Sequence, residues 1–429
     1  MCDYEQILSL IHAHGRFGGA PGLVRIQALL DALGNPQKQL KFVHIAGTNG
    51  KGSTAVLTAS VLEQAGYHTG LFVSPYILDF CERIRIDGAN IPHADLCRIA
   101  QQVYDAEQTL HLPQGESIAE FEFTTACAMV YYAEQKCDIV VLEVGLGGRY
   151  DPTNIIDCPE VCVMTHIALD HMAVLGNTIE EIAQDKSHIV KAGGTLVSYA
   201  AQEPSVRAVL QSRCAEVGAV YREGVQPETI SCSIHGTSCT LDGHALSVRM
   251  IGIHQAYNAS AAYTALCVLR EKGWNISDEA IKTGFAAASM PARQEIMQEH
   301  PLIMIDGAHN VDGITALCKT IDTMLPAGRL SLVLGMVADK QYQDCVRMLV
   351  QRAQTIYAVQ PDSPRALPSR ELTHVIRTFA PDLAVFDCGD VGTGLRQALE
   401  HAAPEDVIIV CGSLYLGGDA KKALCDGIV

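Results

Sequence analysis

The chain has 429 residues, 48% apolar and 18% charged, so it can bury more than one core and is not disordered as a whole. Its formal net charge of −17 excludes a general nucleic-acid or anionic-membrane surface, because phosphates would be repelled, and confines any phosphate chemistry to a local site. No apolar run approaches the ~18 residues of a membrane span, and Met1–Leu10 carries Asp3 and Glu5 without a signal-peptide pattern, so a cytoplasmic protein of about two domains is expected.

From Lys41 the chain reads as strand, glycine turn and helix. Lys41–Ala46 is short and β-rich, Gly47–Gly52 holds three glycines, and Thr54–Ala65 has helical periodicity. Strand-like runs follow at Thr69–Ser74, Asp138–Val144, Val161–Ile167 and Thr195–Tyr199, among helical stretches at Phe123–Gln135, Ile179–Lys191 and Pro204–Val217. That alternation predicts βαβ units and a mainly parallel sheet. Between Ile230 and Ile253 the runs shorten and are broken by His235-Gly236 and Asp242-Gly243, which predicts a small antiparallel appendage. His254–Lys272 then reads as a helix, and Ser277 as the cap of the next one.

After Met290-Pro291 a second alternation begins, with strands at Leu302–Ile305, Leu330–Leu334, Thr355–Val359, Ala384–Phe386 and Val407–Val410, each followed by a helical segment. The predicted fold class is therefore α/β. A P-loop-containing, mainly parallel domain with its antiparallel appendage takes residues 1–290, and a smaller Rossmann-like domain takes 291–429. Sixteen cysteines are scattered singly from Cys2 to Cys425. The closest pairs, Cys158/Cys162 and Cys232/Cys239, lack zinc or redox spacing, so the thiols are expected to serve as small buried hydrophobes.

The strongest chemical signal is Gly47-Thr48-Asn49-Gly50-Lys51-Gly52-Ser53, between a strand and a helix, where backbone N–H groups and the helix N-terminus can cradle phosphates. Lys51 would reach the outer phosphates. The loop departs from the ordinary pattern, since Gly52 stands where a hydroxyl residue is expected and Ser53 follows it. Further on, Leu142–Gly148 puts Glu143 at the C-terminal end of a buried apolar strand, the edge where open parallel sheets bind ligands. A carboxylate there is costly unless paired or bound to a cation, and beside a phosphate loop it reads as an Mg²⁺ ligand. Ser74, His171 and Lys186 could gather at the same edge, although each alone reads equally as a turn residue, a structural histidine or a solvated lysine.

Taken together and in order, these residues resemble the folylpolyglutamate synthase and dihydrofolate synthase family, within the Mur-ligase-like ATP-dependent amide-forming enzymes. The resemblance rests on Gly47–Ser53, Ser74-Pro75 with Glu82-Arg83-Ile84, Phe121–Thr125, Leu142–Arg149, Asp151 with Thr153-Asn154, Ala168–His171, Asp185-Lys186, His254-Gln255 with Asn258-Ala259, and Asp306–Asn310. It implies that Asn49, Gly50, Lys51, Gly52 and Ser53 hold the triphosphate, and that Ser53, Ser74, Glu143 and His171 are ligands of Mg²⁺, with two sites. Lys186 resembles a lysine that the family carries as a carbamate, an anionic oxygen ligand for the same metal. Asn258, Arg293, Asp306 and His309 resemble the groups that hold adenosine and close the second domain, with Asp306 and His309 also candidates for the transfer step. Phe121, Glu122, Tyr150 and Asp151 match the pocket for the pterin-bearing acid, with Gly22-Leu23 nearby; K⁺ is a further candidate cation. The chain departs from the family pattern with Tyr76, Tyr150, Pro152, Ser187-His188 and Ala292, where His, Leu, Ala, Ala-Gly and Gly are common.

The reaction so implied is ATP-dependent joining of L-glutamate to dihydropteroate or a reduced folate through an acyl phosphate, by a monomer with no nucleic-acid or membrane partner. A regulatory P-loop NTPase, a cell-wall-precursor amino-acid ligase and a nucleotide-binding module without catalysis are the competing readings.

Overall fold

The computed structural model describes residues 3–325 and 328–425. Its first sheet contains β1 (Phe42–Ala46), β2 (Thr69–Phe72), β3 (Ile84–Ile86), β4 (Ala89–Asn90), β5 (Ile139–Glu143), β6 (Val161–Met164), β7 (Thr195–Ser198) and β8 (Val220–Glu223), in the spatial order β4-β3-β2-β5-β1-β6-β7-β8. All pairs from β2 to β8 across this order are parallel, and β3 and β4 add an antiparallel edge. The central strands are wholly buried because helices cover both faces, which is why they read as continuous apolar runs. Val43 and Ile45 of β1 face a core shared with helices Lys51–Gln64 and Ile253–Glu271, while Phe42 faces the core under helix Glu120–Glu134.

Strands β9 (Glu228–Ser233), β10 (Gly236–Leu241) and β11 (His244–Val248) form the expected antiparallel appendage, whose inward Cys239, Leu241, Leu246 and Val248 join the first of these cores. The last sheet holds β12 (Glu295–Glu299), β13 (Leu302–Ile305), β14 (Leu330–Leu334), β15 (Thr355–Val359), β16 (Ala384–Gly389) and β17 (Val407–Cys411), in the order β12-β13-β17-β14-β15-β16. Only its β12 edge is antiparallel. The α/β class and the two mainly parallel sheets are as the sequence predicts, and the Ser277 hydroxyl accepts from the Ala280 N–H as a cap.

The differences lie at edges and ends. Strands β3 and β4 are too short to show a period, and β8 and β12 are polar edge strands whose outer rows face no core. Helices Tyr4–Ala13, Val24–Ala32 and His93–Glu107 were not predicted; they cover the β2–β5 face of the first sheet. Helix Ile179–Lys186 stops five residues short of the Lys191 expected for it and passes into the 3₁₀ turn Ser187–Ile189. Among the described residues, Cys81, Cys127, Cys162, Cys214, Cys318, Cys345 and Cys411 are buried as expected, Cys158 is exposed, and no helix is long and apolar enough to cross a membrane. Cys2 lies outside the described residues.

Candidate active site

The C-terminal ends of β1, β2 and β5 open into a cleft of about 520 Å³ between the first and last sheets. It starts at the turn after β1. Gly50 takes φ 90°, and a Cβ there would lie 2.2 Å from Asn258 Oδ1, so only glycine lets helix Ile253–Glu271 close on the loop. At Gly52 a Cβ would come 2.9 Å from Met290 Cε and 3.5 Å, an ordinary contact, from Glu143 Oε2, so the missing side chain leaves room chiefly for the end of Met290. Lys51 Nζ donates to the carbonyls of Gly47 and Thr48, 3.2 Å each. Burial lowers its pKa, while Glu143 and Asp170 oppose that shift.

Glu143 ends β5 and is 3% exposed. Its Oε2 accepts from the Ser74 N–H at 3.1 Å, and it makes no ion pair among the described residues. Burial pushes its carboxyl up, against the pull of Lys51, Arg293 and Arg83. Ser53, Ser74, His171 and Lys186 line the same cleft. Burial holds the His171 imidazole down at about 4, so the ring is neutral and has a lone pair to offer. Lys186, 4% exposed, donates to Gly47 O at 2.9 Å, and burial with the nearby Lys51 brings its amine down to about 7. Hydroxyl and carboxylate oxygens with one neutral imidazole, grouped around an unpaired buried acid, are a donor set that fits Mg²⁺.

The opposite wall comes from the last sheet. Asp306, following β13, accepts from the N–H groups of Ala308 and Gln294 at 2.9 and 3.0 Å, and burial raises its carboxyl. His309 is tied to Gly307 O at 2.8 Å, burial holds it at about 4, and Arg293 lies against the same turn. Every residue expected for triphosphate, metal and second-domain roles therefore lines one cleft: Asn49, Gly50, Lys51, Gly52, Ser53, Ser74, Glu143, His171, Lys186, Asn258, Arg293, Asp306 and His309. Asn49 has a part not foreseen, since its side chain donates to Asp312 at 2.6 Å across the cleft.

The four acid-pocket residues are not among the residues lining this cleft. The Phe121 ring packs on Phe72, 5.7 Å between centroids, and Tyr150 is 49% exposed beneath the Arg149 guanidinium. Asp151 accepts from Thr153 and from the N–H of Leu146, which itself lines the cleft, so it braces the glycine turn after Glu143. Glu122 is held away from the cleft in a buried ion pair with Arg25 at 3.1 Å, and also accepts from the Ala119 N–H.

Asp170 and Lys340 are among the cleft residues that escaped the sequence reading. Asp170 pairs with Lys340 of the opposite wall and accepts from Asn310 at 2.9 Å, joining the two sheets. Asp170 stood within a quoted motif without a role, and Lys340 sits in a loop with no local pattern, so only the chain's packing reveals the pair.

Comparison with known proteins agrees with this geometry. Residues 45–266 match the Mur ligase middle domain, and residues 292–414 match the Mur ligase glutamate ligase domain. A Bacillus subtilis dihydrofolate synthase/folylpolyglutamate synthase is 35% identical over 435 residues, covering 98% of this chain and 99% of that one. A Lacticaseibacillus casei folylpolyglutamate synthase is 35% identical over 446 residues, covering 99% of both. The Escherichia coli FolC structure in complex with DHPP and ADP superposes with a TM-score of 0.87 at 28% identity, over 100% of this chain and 99% of that one. Its sequence, fold and cleft together place the chain in the folylpolyglutamate synthase and dihydrofolate synthase family of Mur-type ATP-dependent ligases.

Proposed function

We propose that the protein joins L-glutamate to the carboxylate of a pteroate or folate, using ATP to form an acyl phosphate that the glutamate amine then opens to an amide, with release of ADP and phosphate. The observation that carries this reading is the convergence on one cleft of a phosphate loop, an unpaired buried acid and a second α/β wall. Residues 1–290 and 291–429 are the two units of the proposal, and the cleft lies between them within one chain, so a monomer suffices. The setting proposed is the cytoplasm.

The difficulty of the reaction is electrostatic, because a carboxylate must approach a triphosphate. The N–H groups at the start of helix Lys51–Gln64 and the Lys51 ammonium bind and orient the phosphates. Ser53, Ser74, Glu143 and His171 would hold Mg²⁺, which when bound offsets the charge of phosphoryl transfer. Lys186 has the neutral amine fraction at pH 7 that addition of CO₂ requires, so its carbamate belongs to the proposal; K⁺ is assigned no residues. Asn258, Arg293 and Asp306 are assigned to the nucleoside end. Lys319 gives the second wall a cation that a dicarboxylate amine needs, and His309 stays neutral there as a hydrogen-bonding group. Closing the two walls excludes water from a hydrolysable intermediate.

The test is phosphate release with ATP and Mg²⁺, with and without L-glutamate, offering 7,8-dihydropteroate in one series and tetrahydrofolate in another. Release is expected only when an acid and glutamate are both present, and the acid that supports it names the activity. Release indifferent to both would replace the ligase by a regulatory NTPase.

A further inference from the structure

One guanidinium near the cleft has no hydrogen-bond or ion-pair partner among the described residues. Arg83 closes the 3₁₀ turn Phe80–Arg83, just before β3, and its carbonyl accepts from the Val73 N–H at 3.1 Å, which fixes it beside Ser74 and Pro75 of the cleft. Its guanidinium centre lies 5.2 Å from the Tyr76 ring centroid and 5.3 Å from that of Phe80. Among the described residues it makes no side-chain hydrogen bond and no ion pair, and its Nε is buried without an acceptor. The contrast with Arg25 is direct, since that side chain reaches Glu122, Glu116 and the Ala20 carbonyl.

Arg83 is half-buried with its Nε shielded from solvent, and arginine remains charged, so shielding it without an anion is costly. Contact with aromatic faces offsets part of that cost and leaves the in-plane N–H groups unmet. Those groups form a fork that suits a carboxylate held by two bonds. Glu120 lies in its field but pairs with His12 at 3.4 Å instead, and Glu143 and Tyr415 of the cleft also feel its charge. The site thus offers a cation next to the Ser74-Pro75 wall of the cleft, outside the cluster of groups around Lys51.

We infer that Arg83 binds a second carboxylate of the acid substrate, the α-carboxylate of a terminal glutamyl group whose side-chain carboxylate is being activated. The inference rests on the proposed function and deepens it. The reacting carboxylate must face the phosphates at Lys51, whereas Arg83 is tied through its backbone to Val73, next to Ser74-Pro75 of the cleft wall. A pteroate has a single carboxylate and makes no use of Arg83, while a folate has two. Arg83 is therefore a residue that tells the two acids apart.

The test uses tetrahydrofolate and its analogue with 4-aminobutyrate in place of glutamate, which keeps the reacting carboxylate and lacks only the α-carboxylate. For the native chain the analogue is expected to have a KM about 10- to 100-fold higher, the range of a charge-assisted hydrogen-bonded contact. In Arg83→Gln the KM for tetrahydrofolate rises by the same factor, that for the analogue stays within about twofold, and kcat is little changed; Arg83→Lys recovers part of the loss. Equal loss with both acids, or no loss with either, overturns the inference, as does a native chain that does not distinguish them, a result that needs no variant. A native chain that uses dihydropteroate alone also overturns it while leaving the ligase reading intact, and a chain that uses no acid with glutamate overturns the ligase reading itself.

Discussion

Glu122 and Glu143 are both buried carboxylates, and both were singled out as ligand-binding residues, yet the structure treats them oppositely. Glu122 spends its oxygens on Arg25 and the Ala119 N–H, which locks helix Glu120–Glu134 to helix Val24–Ala32. Among the described residues Glu143 has one hydrogen bond and no ion pair, and it faces a cleft lined by Lys51, Ser53 and Lys186. The same contrast separates Arg25 from Arg83. A buried charge with its partners already in place is architecture, and one without them is set for a ligand.

The largest effect belongs at the unpaired end. Lys51→Met should cut glutamate-dependent phosphate release by about 10²–10³-fold with the melting temperature unchanged, since preorganised charge at a transferring phosphoryl group is worth that much. A small loss would mean that the cleft floor is structural after all.

At the paired end the cost should appear in stability instead. Glu122→Ala leaves Arg25 with only Glu116 and the Ala20 carbonyl, so about 2 kcal/mol should be lost, seen as a melting temperature lower by about 2 °C, with the KM of the acid substrate unchanged. A raised KM with an unchanged melting temperature would return Glu122 to the substrate pocket.

Asp170 and Lys340 test a mixed case, a paired charge that joins the two walls of the cleft. Asp170→Asn and Lys340→Met are each expected to lower kcat/KM for glutamate about tenfold, and the double variant to be hardly worse than either, a coupling within the 0.5–3 kcal/mol range of contacting residues. Additive losses would show that the pair does not act as one unit in closing the cleft.

The smallest effect marks where the comparison stops. Glu63, at the far end of helix Lys51–Gln64, has no ion pair among the described residues, and burial together with Asp87 raises its carboxyl to about 7. The folded chain therefore holds this proton more tightly than the unfolded one. Its contribution to stability is full below about pH 4.5 and is lost as the pH rises through 7. Glu63→Gln should raise the melting temperature by about 1 °C at pH 8, a figure reduced for solvent screening, and leave it unchanged at pH 4.5. Activity should not move, because Glu63 lies outside the cleft.

Much of this was present in the amino-acid order. Buried parallel strands are continuous apolar runs, and the phosphate loop and Glu143 are short segments whose chemistry depends on neighbours in the chain, so strand ends and glycine spacing were enough to place them, whereas the Asp306–Asn310 turn was marked only by the family resemblance. Short edge strands such as β3 and β12 carry no period and were missed. What tertiary structure alone decided was which charges meet. Arg25 and Glu122 are 97 residues apart, Asp170 and Lys340 are 170 apart, and Arg83 is distinguished only by what fails to reach it. Composition names the charged residues, but a charge is structural or functional according to its partners, and these are assembled by packing of the cores rather than by local sequence.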